Sequence, residues 1–201
     1  MSIINRHKLK SSVPHFKKKL DARVRKTRDA LGDALVELMQ EKPFDSITVQ
    51  DVLDRAHVGR STFYSHFSDK DDLQMSDADE FFEGLAMALS VHGDISERVF
   101  PVKEFFRHVS AARQFVNALA NSGRMHDNME LAHGHFARGI ERRLNELPQG
   151  ASIPANERPL LGVAHAGALL SLLKWWMDRG MKEPPEEMDK LFHRMVWNGA
   201  K

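Results

Sequence analysis

The chain has 201 residues, room for one large or two small domains, and its 42% hydrophobic and 28% charged content is ordinary for a globular protein, which argues against global disorder. Cysteine is absent, which excludes disulfides, thiolate metal sites and a cysteine nucleophile and fits a reducing cytoplasm. The net charge of +1 conceals a split: Met1 to Arg28 holds ten Lys/Arg and one acid, net +9, and the remainder holds nineteen and twenty-seven, net −8.

The opening MSIINRHKLK is basic but lacks the apolar core of a signal peptide. Residues 1–22 read as a flexible basic arm, since Pro14 and the lack of an apolar period argue against structure. Its Arg6, Lys8, Lys10, Lys17, Lys18 and Lys19 fit salt-sensitive, sequence-independent affinity for a polyanion; they equally fit a solvated tail. From Ala22 the pattern is helical. Leu31, Leu35, Leu38 and Met39 form one stripe, Pro43 stops the helix, and Phe44 and Ile47 close a small core.

Two capping signals follow. Thr48 with Asp51, and Ser68 with Asp71, each offer an oxygen to orphan N–H groups and a carboxylate to the positive helix end, so helices should begin near Val49 and Asp69. Val49, Val52, Leu53 and Ala56 share one buried face. His57, Val58 and Gly59 interrupt it, and Phe63 and Phe67 resume it on a helix of about two turns. Arg60, Ser61, Thr62, Tyr64, Ser65 and His66 stay outside, a row of donors with no acid, suited to phosphates and base edges. Ile47 to Leu73 therefore reads as a helix-turn-helix.

The run TFYSHFSDKDDL, with ITVQDV upstream, resembles the TetR family of bacterial transcriptional regulators. The resemblance is specific over Arg23 to Leu73; beyond that it is one of helical layout and length. It implies that Thr48 and Lys70 contact phosphates from the starts of their helices, that Tyr64 and His66 pack on the DNA backbone, and that Arg60, Ser61 and Thr62 approach base edges. Of Arg23, Arg25, Lys26 and Arg28 at the first turns of the preceding helix, the resemblance implies that Arg28 contacts the DNA backbone. The sequence departs from the usual pattern at His57, where a glycine is common, and at Gly59, where a serine usually caps the recognition helix. Glycine at an N-cap costs only a few tenths of a kcal/mol relative to serine.

After Ser68 a longer helix, to about His92, carries Leu73, Phe81, Phe82, Leu85 and Leu89 and is long enough to connect the domains. Further helices are expected at about Pro101–Ser122, Arg124–Leu147, Ala155–Arg179 and Pro185–Trp197. Met125, Met129, Ala132, Phe136, Ile140, Leu144 and Leu147 step at a mean close to 3.6, one buried stripe. Pro159 to Met177 is the most apolar stretch, but His165, Ser171, Lys174 and two glycines favour a buried helix over a membrane span.

Phe105, Phe106, Phe115, Met125, Met129, Phe136 and Trp175 could line a cavity for a small molecule, with His133 or His165 as polar anchor; aromatic and Met residues at helical spacing equally make plain core. His133 and His135 fall on different helix faces and do not pair for a metal; neither metal nor cofactor is expected. Leu169, Leu172, Leu173 and Trp176, with Met188, Leu191, Phe192, Met195 and Val196, offer a face for a homodimer, Gly162 and Ala166 allowing close approach; alternatively they close the domain's own core. No Gly-x-Ser-x-Gly elbow, phosphate-binding glycine loop or His-Glu-x-x-His pair supports an enzyme.

The expected protein is all-α, with an N-terminal three-helix domain (23–68) containing the helix-turn-helix and a larger C-terminal helical bundle (69–201) that forms a homodimer, helix 69–92 connecting them. Its expected partners are double-stranded DNA, a second copy and an unidentified small-molecule effector, with no membrane. The expected function is a cytoplasmic, ligand-responsive repressor on a palindromic operator, against the alternative of a similar fold acting mainly by docking a protein partner.

Overall fold

The computed structural model describes residues 22–198, and the expectations for the basic arm before Ala22 lie outside them. Nine α-helices occur among these residues: α1 (Ala22–Glu41), α2 (Val49–Ala56), α3 (Arg60–Tyr64), α4 (Lys70–Val91), α5 (Val102–Ala111), α6 (Arg113–Asn121), α7 (Met125–Glu146), α8 (Arg158–Asp178) and α9 (Pro185–Asn198). A 3-10 turn at Phe44–Ser46 follows α1 and another at Pro148–Ser152 follows α7, and the described residues contain no strand. The helix expected over Pro101–Ser122 is two helices, because Ala112 leaves helical geometry at φ −94° and ψ 20°.

Local chemistry sets the helix starts. Thr48 closes a full capping box: the Asp51 N–H donates to Thr48 Oγ1 at 3.1 Å and the Thr48 N–H to Asp51 Oδ2 at 2.7 Å. Lys42 stands 2.9 Å from the same carboxylate. The hydrogen bond from the Thr48 N–H, followed by those from Lys42 and the Thr48 hydroxyl, holds the Asp51 carboxyl well below the usual range. At α4 the cap falls one residue later than expected, on Asp69, which accepts from the Asp72 N–H at 2.8 Å. His57 ends α2 in the left-handed region, φ 55° and ψ 42°, with its N–H donating to the Leu53 carbonyl.

Two apolar cores form. One gathers Leu31, Leu35, Leu38 and Met39 of α1 with Phe44, Ile47, Val52, Leu53, Phe63, Phe67 and Leu73, and it takes in Leu119 from α6. The other fills the bundle with Phe100, Phe105, Phe106, Phe136, Ile140, Leu169, Trp176 and Phe192 among others. Within the bundle α7 packs along both α4 and α8, and α5 along α9. Two glycines set those distances: a Cβ on Gly139 would meet the Ala86 carbonyl oxygen of α4 at 2.8 Å, and one on Gly162 the Ala137 oxygen of α7 at 2.6 Å. The close approach expected of Gly162 thus serves contact within the protomer. Among the described residues one helix, α8, is long and apolar enough to cross a membrane by length and composition, and it buries Ala166, Leu169, Leu173 and Trp176 in this bundle.

Charges lock the far end. Arg143 is buried and donates to the carbonyls of Asp94 (3.0 Å), Ser96 (3.1 Å) and Arg98 (3.2 Å), pinning the loop before α5. Arg98 in turn donates to Asp189 of α9 at 2.9 Å and to Glu104, while the Lys103 N–H donates to Asp189 at 3.0 Å. Burial pushes the Asp189 carboxyl up, but His193, the Lys103 N–H and the Arg98 charge outweigh it and hold it at about 2. A depressed carboxylate contributes stability that is complete above its ordinary value of 3.8 and is lost as pH falls through about 2. Asp189→Asn is therefore expected to lower stability by about 1–3 kcal/mol at neutral pH. It should also flatten the acid limb of a melting-temperature profile between pH 3.8 and about 2. An unchanged acid limb in the variant would remove Asp189 from the acid response.

Candidate nucleic-acid interface and effector cavity

The short helix α3 is held from beneath by Phe63, fully buried, and Phe67, whose rings lie 5.8 Å apart. That leaves Arg60, Ser61, Thr62, Tyr64 and Ser65 exposed and His66 half-buried, so the expected reading surface is outward-facing. Tyr64 stands edge-on to Phe63 with centroids 5.2 Å apart, half of it open to solvent. Arg60 reaches back to α2, its Nη2 donating to Gln50 Oε1 at 3.1 Å, and Gln50 donates to Asp54 at 2.8 Å. Gln50 is thus part of this surface, a neighbour of Arg60 that only the tertiary crossing of the two helices reveals.

Three residues expected at phosphates have protein partners here. The Thr48 hydroxyl serves the capping box and donates to Asp51 at 2.7 Å. The Lys70 ammonium donates to the carbonyls of Phe44 (2.8 Å), Ile47 (2.7 Å) and, more weakly, Asp45 (3.4 Å), and it lies 4.6 Å from the Phe44 ring centroid. Arg28 donates to Ser76 at 2.6 Å and stacks 4.6 Å from the Phe67 centroid, so it braces α1 against α4. Arg55 ties α2 to α1 through Glu41 (2.8 Å) and Glu37 (3.3 Å). The hydrogen bonds to Glu41 and Glu37 raise the Arg55 pKa.

A residue that neither periodicity nor capping singles out joins this domain to the bundle. Arg124, just before α7, donates to Asp71 of α4 at 2.6 and 2.8 Å and to Asp45 at 3.2 Å, and its guanidinium lies 3.9 Å over the Phe44 ring.

A cavity of about 120 Å³ lies where the two cores meet. Phe105, Phe115, Met125 and Met129 line it as the sequence suggested, together with Gly32, Leu35, Val36 and Met39 of α1, Phe81 and Phe82 of α4 and Leu173 of α8. Its polar lining consists of Gln74, Asp77, His108 and Asn128. The other expected lining residues stand elsewhere. Phe106 and Phe136 are wholly buried in the bundle core, and Trp175 is exposed on α8 under the Arg179 guanidinium. His133 is hydrogen-bonded to the Val163 carbonyl at 3.2 Å, and His165 packs edge-on to Phe192. Burial lowers the His165 pKa. His135 pairs with Asp79 at 2.8 Å, and among the described residues no group of three His, Asp or Glu could hold a metal.

The face expected for dimerisation is also redistributed. Leu169, Leu173, Trp176, Met188 and Phe192 lie inside the protomer's own core, Trp176 donating its indole N–H to the Glu183 carbonyl at 2.8 Å. Leu172 packs partly buried against that core. Of the expected face, Met195 of α9 is exposed, and Leu160, Val163 and Trp175 of α8 are exposed besides.

A solvent-facing recognition helix on a small three-helix domain, joined by one long helix to an all-helical bundle with a cavity at the seam, defines a helix-turn-helix regulator of transcription. Family profiles agree with that geometry: one described as bacterial regulatory proteins of the tetR family matches residues 31–74, and one described as a transcriptional regulator C-terminal region matches 102–198. The chain belongs to the TetR family of transcriptional regulators. It is 27% identical over 179 residues to the uncharacterized HTH-type transcriptional regulator YxbF of Bacillus subtilis (strain 168), the match covering 87% of this chain and 46% of that protein. The chain thus spans about half the length of this curated relative. A TetR transcriptional regulator from Streptococcus agalactiae 2603V superposes with a TM-score of 0.59 at 26% identity, over 88% of this chain and 96% of that one. The fatty acid degradation regulator FadR from Bacillus halodurans has the same fold, with a TM-score of 0.63 at 18% identity over 91% of this chain and 98% of that one.

The partners of Lys70 separate two roles for it. A lysine that fixes the loop before α2 should, on Lys70→Ala, lower the melting temperature by several degrees, about 2 kcal/mol, and weaken DNA binding alike on all sequences. A pure phosphate contact would weaken binding with an unchanged melt.

Proposed function

We propose that the chain acts in the cytoplasm as a homodimeric, ligand-responsive repressor of transcription on a palindromic operator. The observation that carries the reading is the α3 surface, where Arg60, Ser61, Thr62 and Tyr64 stand outward with no carboxylate among them. Arg60 reads a base edge from this surface, with Gln50 beside it, and Ser61 and Thr62 approach neighbouring bases. Tyr64 and His66 pack on the sugar-phosphate backbone, while Lys70 and Arg28 fix the domain's shape. The basic arm supplies salt-dependent, sequence-independent affinity.

A gel-shift against the upstream region of the chain's own gene at two salt concentrations tests this reading. Selective binding that persists at moderate salt is expected. Its complete absence would favour the protein-docking alternative. Arg60→Ala should cost about 1–3 kcal/mol on the preferred operator and relax preference at a single position in each half-site. Uniform weakening on every sequence would move Arg60 to a phosphate.

Pairing of two protomers is assigned to the exposed side of α8, where Leu160 and Val163 lie a turn apart near Ala164 and Gly167. Val163→Glu is expected to give monomers in sedimentation with a folded, unchanged circular dichroism spectrum. A dimeric Val163→Glu would place the interface on another face.

A further inference from the structure

Building on the ligand-responsive reading above, we infer that the effector occupies the seam cavity in direct contact with α1 of the DNA-binding domain, and is a compact apolar molecule bearing no negative charge.

Position supports the first part. Leu35, Val36 and Met39 of α1 face the same void as Phe81 of α4, Val116 of α6 and Met129 of α7. Leu35 and Met39 belong to the N-terminal core, whereas Phe81, Val116 and Met129 pack against the bundle core, so the void is unfilled space between the two. An occupant would bear on both domains at once, and its effect on α1 would need no relay through the connecting helix. Size supports the second part. A void of about 120 Å³ is of the order of an engineered cavity that holds benzene, so one ring fills it. Met39, Met125, Met129 and Met177 line it, and their unbranched side chains let it adapt to a modestly larger guest.

Charge supports the third. No Lys or Arg is among the described lining residues, and Asp77 is the one carboxylate. An anionic headgroup would be desolvated beside the Asp77 carboxylate, and among the described lining residues the one side chain able to take up a positive charge is His108, which lies against the Phe81 ring with centroids 4.4 Å apart. A neutral donor or acceptor meets the buried amides of Gln74 and Asn128, which bond each other at 3.0 Å and can exchange that bond for one to a guest.

The test uses the full chain with carbon-13-labelled methionine methyls, titrated with benzyl alcohol and, as its anionic counterpart of similar size, benzoate. Benzyl alcohol is expected to shift the Met39 and Met129 methyl signals saturably, and benzoate to need at least about tenfold more. Equal or tighter binding of benzoate would overturn the charge assignment. Filling the void from either side, by Val36→Phe on α1 or Val116→Phe on α6, should weaken benzyl alcohol at least about tenfold. A folded Val36→Phe that binds normally while Val116→Phe does not would place the guest wholly in the bundle and overturn the contact with α1. If either variant fails to fold, the wild-type Met39 signal decides: no shift at saturation overturns that contact. Operator binding is measured separately without the probe. Its absence with an intact titration would sink the DNA-binding reading alone, and its presence with no methionine shift would sink this one alone.

Discussion

The structure turns on the burial of one ring. Phe44 sits in the 3-10 turn between α1 and α2, almost wholly inaccessible, with the Lys70 ammonium 4.6 Å and the Arg124 guanidinium 3.9 Å from its centroid. Each such contact is worth about 0.5–1 kcal/mol when exposed and about 2 kcal/mol when desolvated. Their larger consequence is geometric. Lys70 opens α4 and gathers the carbonyls of the turn, and Arg124 precedes α7 and grips Asp71 and Asp45. Three segments distant in sequence are fixed to one aromatic, so the angle at which α2 and α3 face outward is set by where α4 and α7 begin.

The same end of α7 borders the seam cavity. Asn128, one turn after Arg124, donates to the Arg124 carbonyl at 3.0 Å and shares a hydrogen bond with Gln74 of α4, while Met125 lines the void between them. A change in cavity volume therefore acts on the backbone that carries Arg124, and through Arg124 on Asp45 at the root of the reading domain. That is a contiguous physical connection of a few side chains. It becomes allosteric in the proper sense only when a ligand binds two arrangements of it differently.

What the sequence made legible was local. The stripe from Leu31 to Met39, the capping box at Thr48 and the buried run from Ala132 to Leu147 are written in residues three or four apart, and periodicity recovers them. It stops where a choice depends on a partner far along the chain. The pattern marks Leu169, Leu173 and Trp176 as one apolar face of α8, but only the packing of α8 on α7 through Gly162 decides that this face belongs inside the protomer. Lys70 reads as a free cation at a helix start until the turn folds against it. The α1 side of the cavity was illegible for the same reason, since Leu35, Val36 and Met39 look like ordinary core of a small domain.

The side of α8 that Gly162 turns away from α7 bears on how the seam could move. Leu170, Leu173 and Met177 put α8 on the cavity wall, and Leu160 and Val163 put it on the face assigned to pairing. In the proposed dimer α8 is held on both sides, by α7 within the protomer and by its copy across the axis. A wall so held yields little when the void fills. The displacement then falls on α1 and α6, whose contact across Leu119 is the apolar junction between reading domain and bundle. A dimer interface of this kind does more than set the spacing of two recognition helices, because it decides which wall of the cavity gives way.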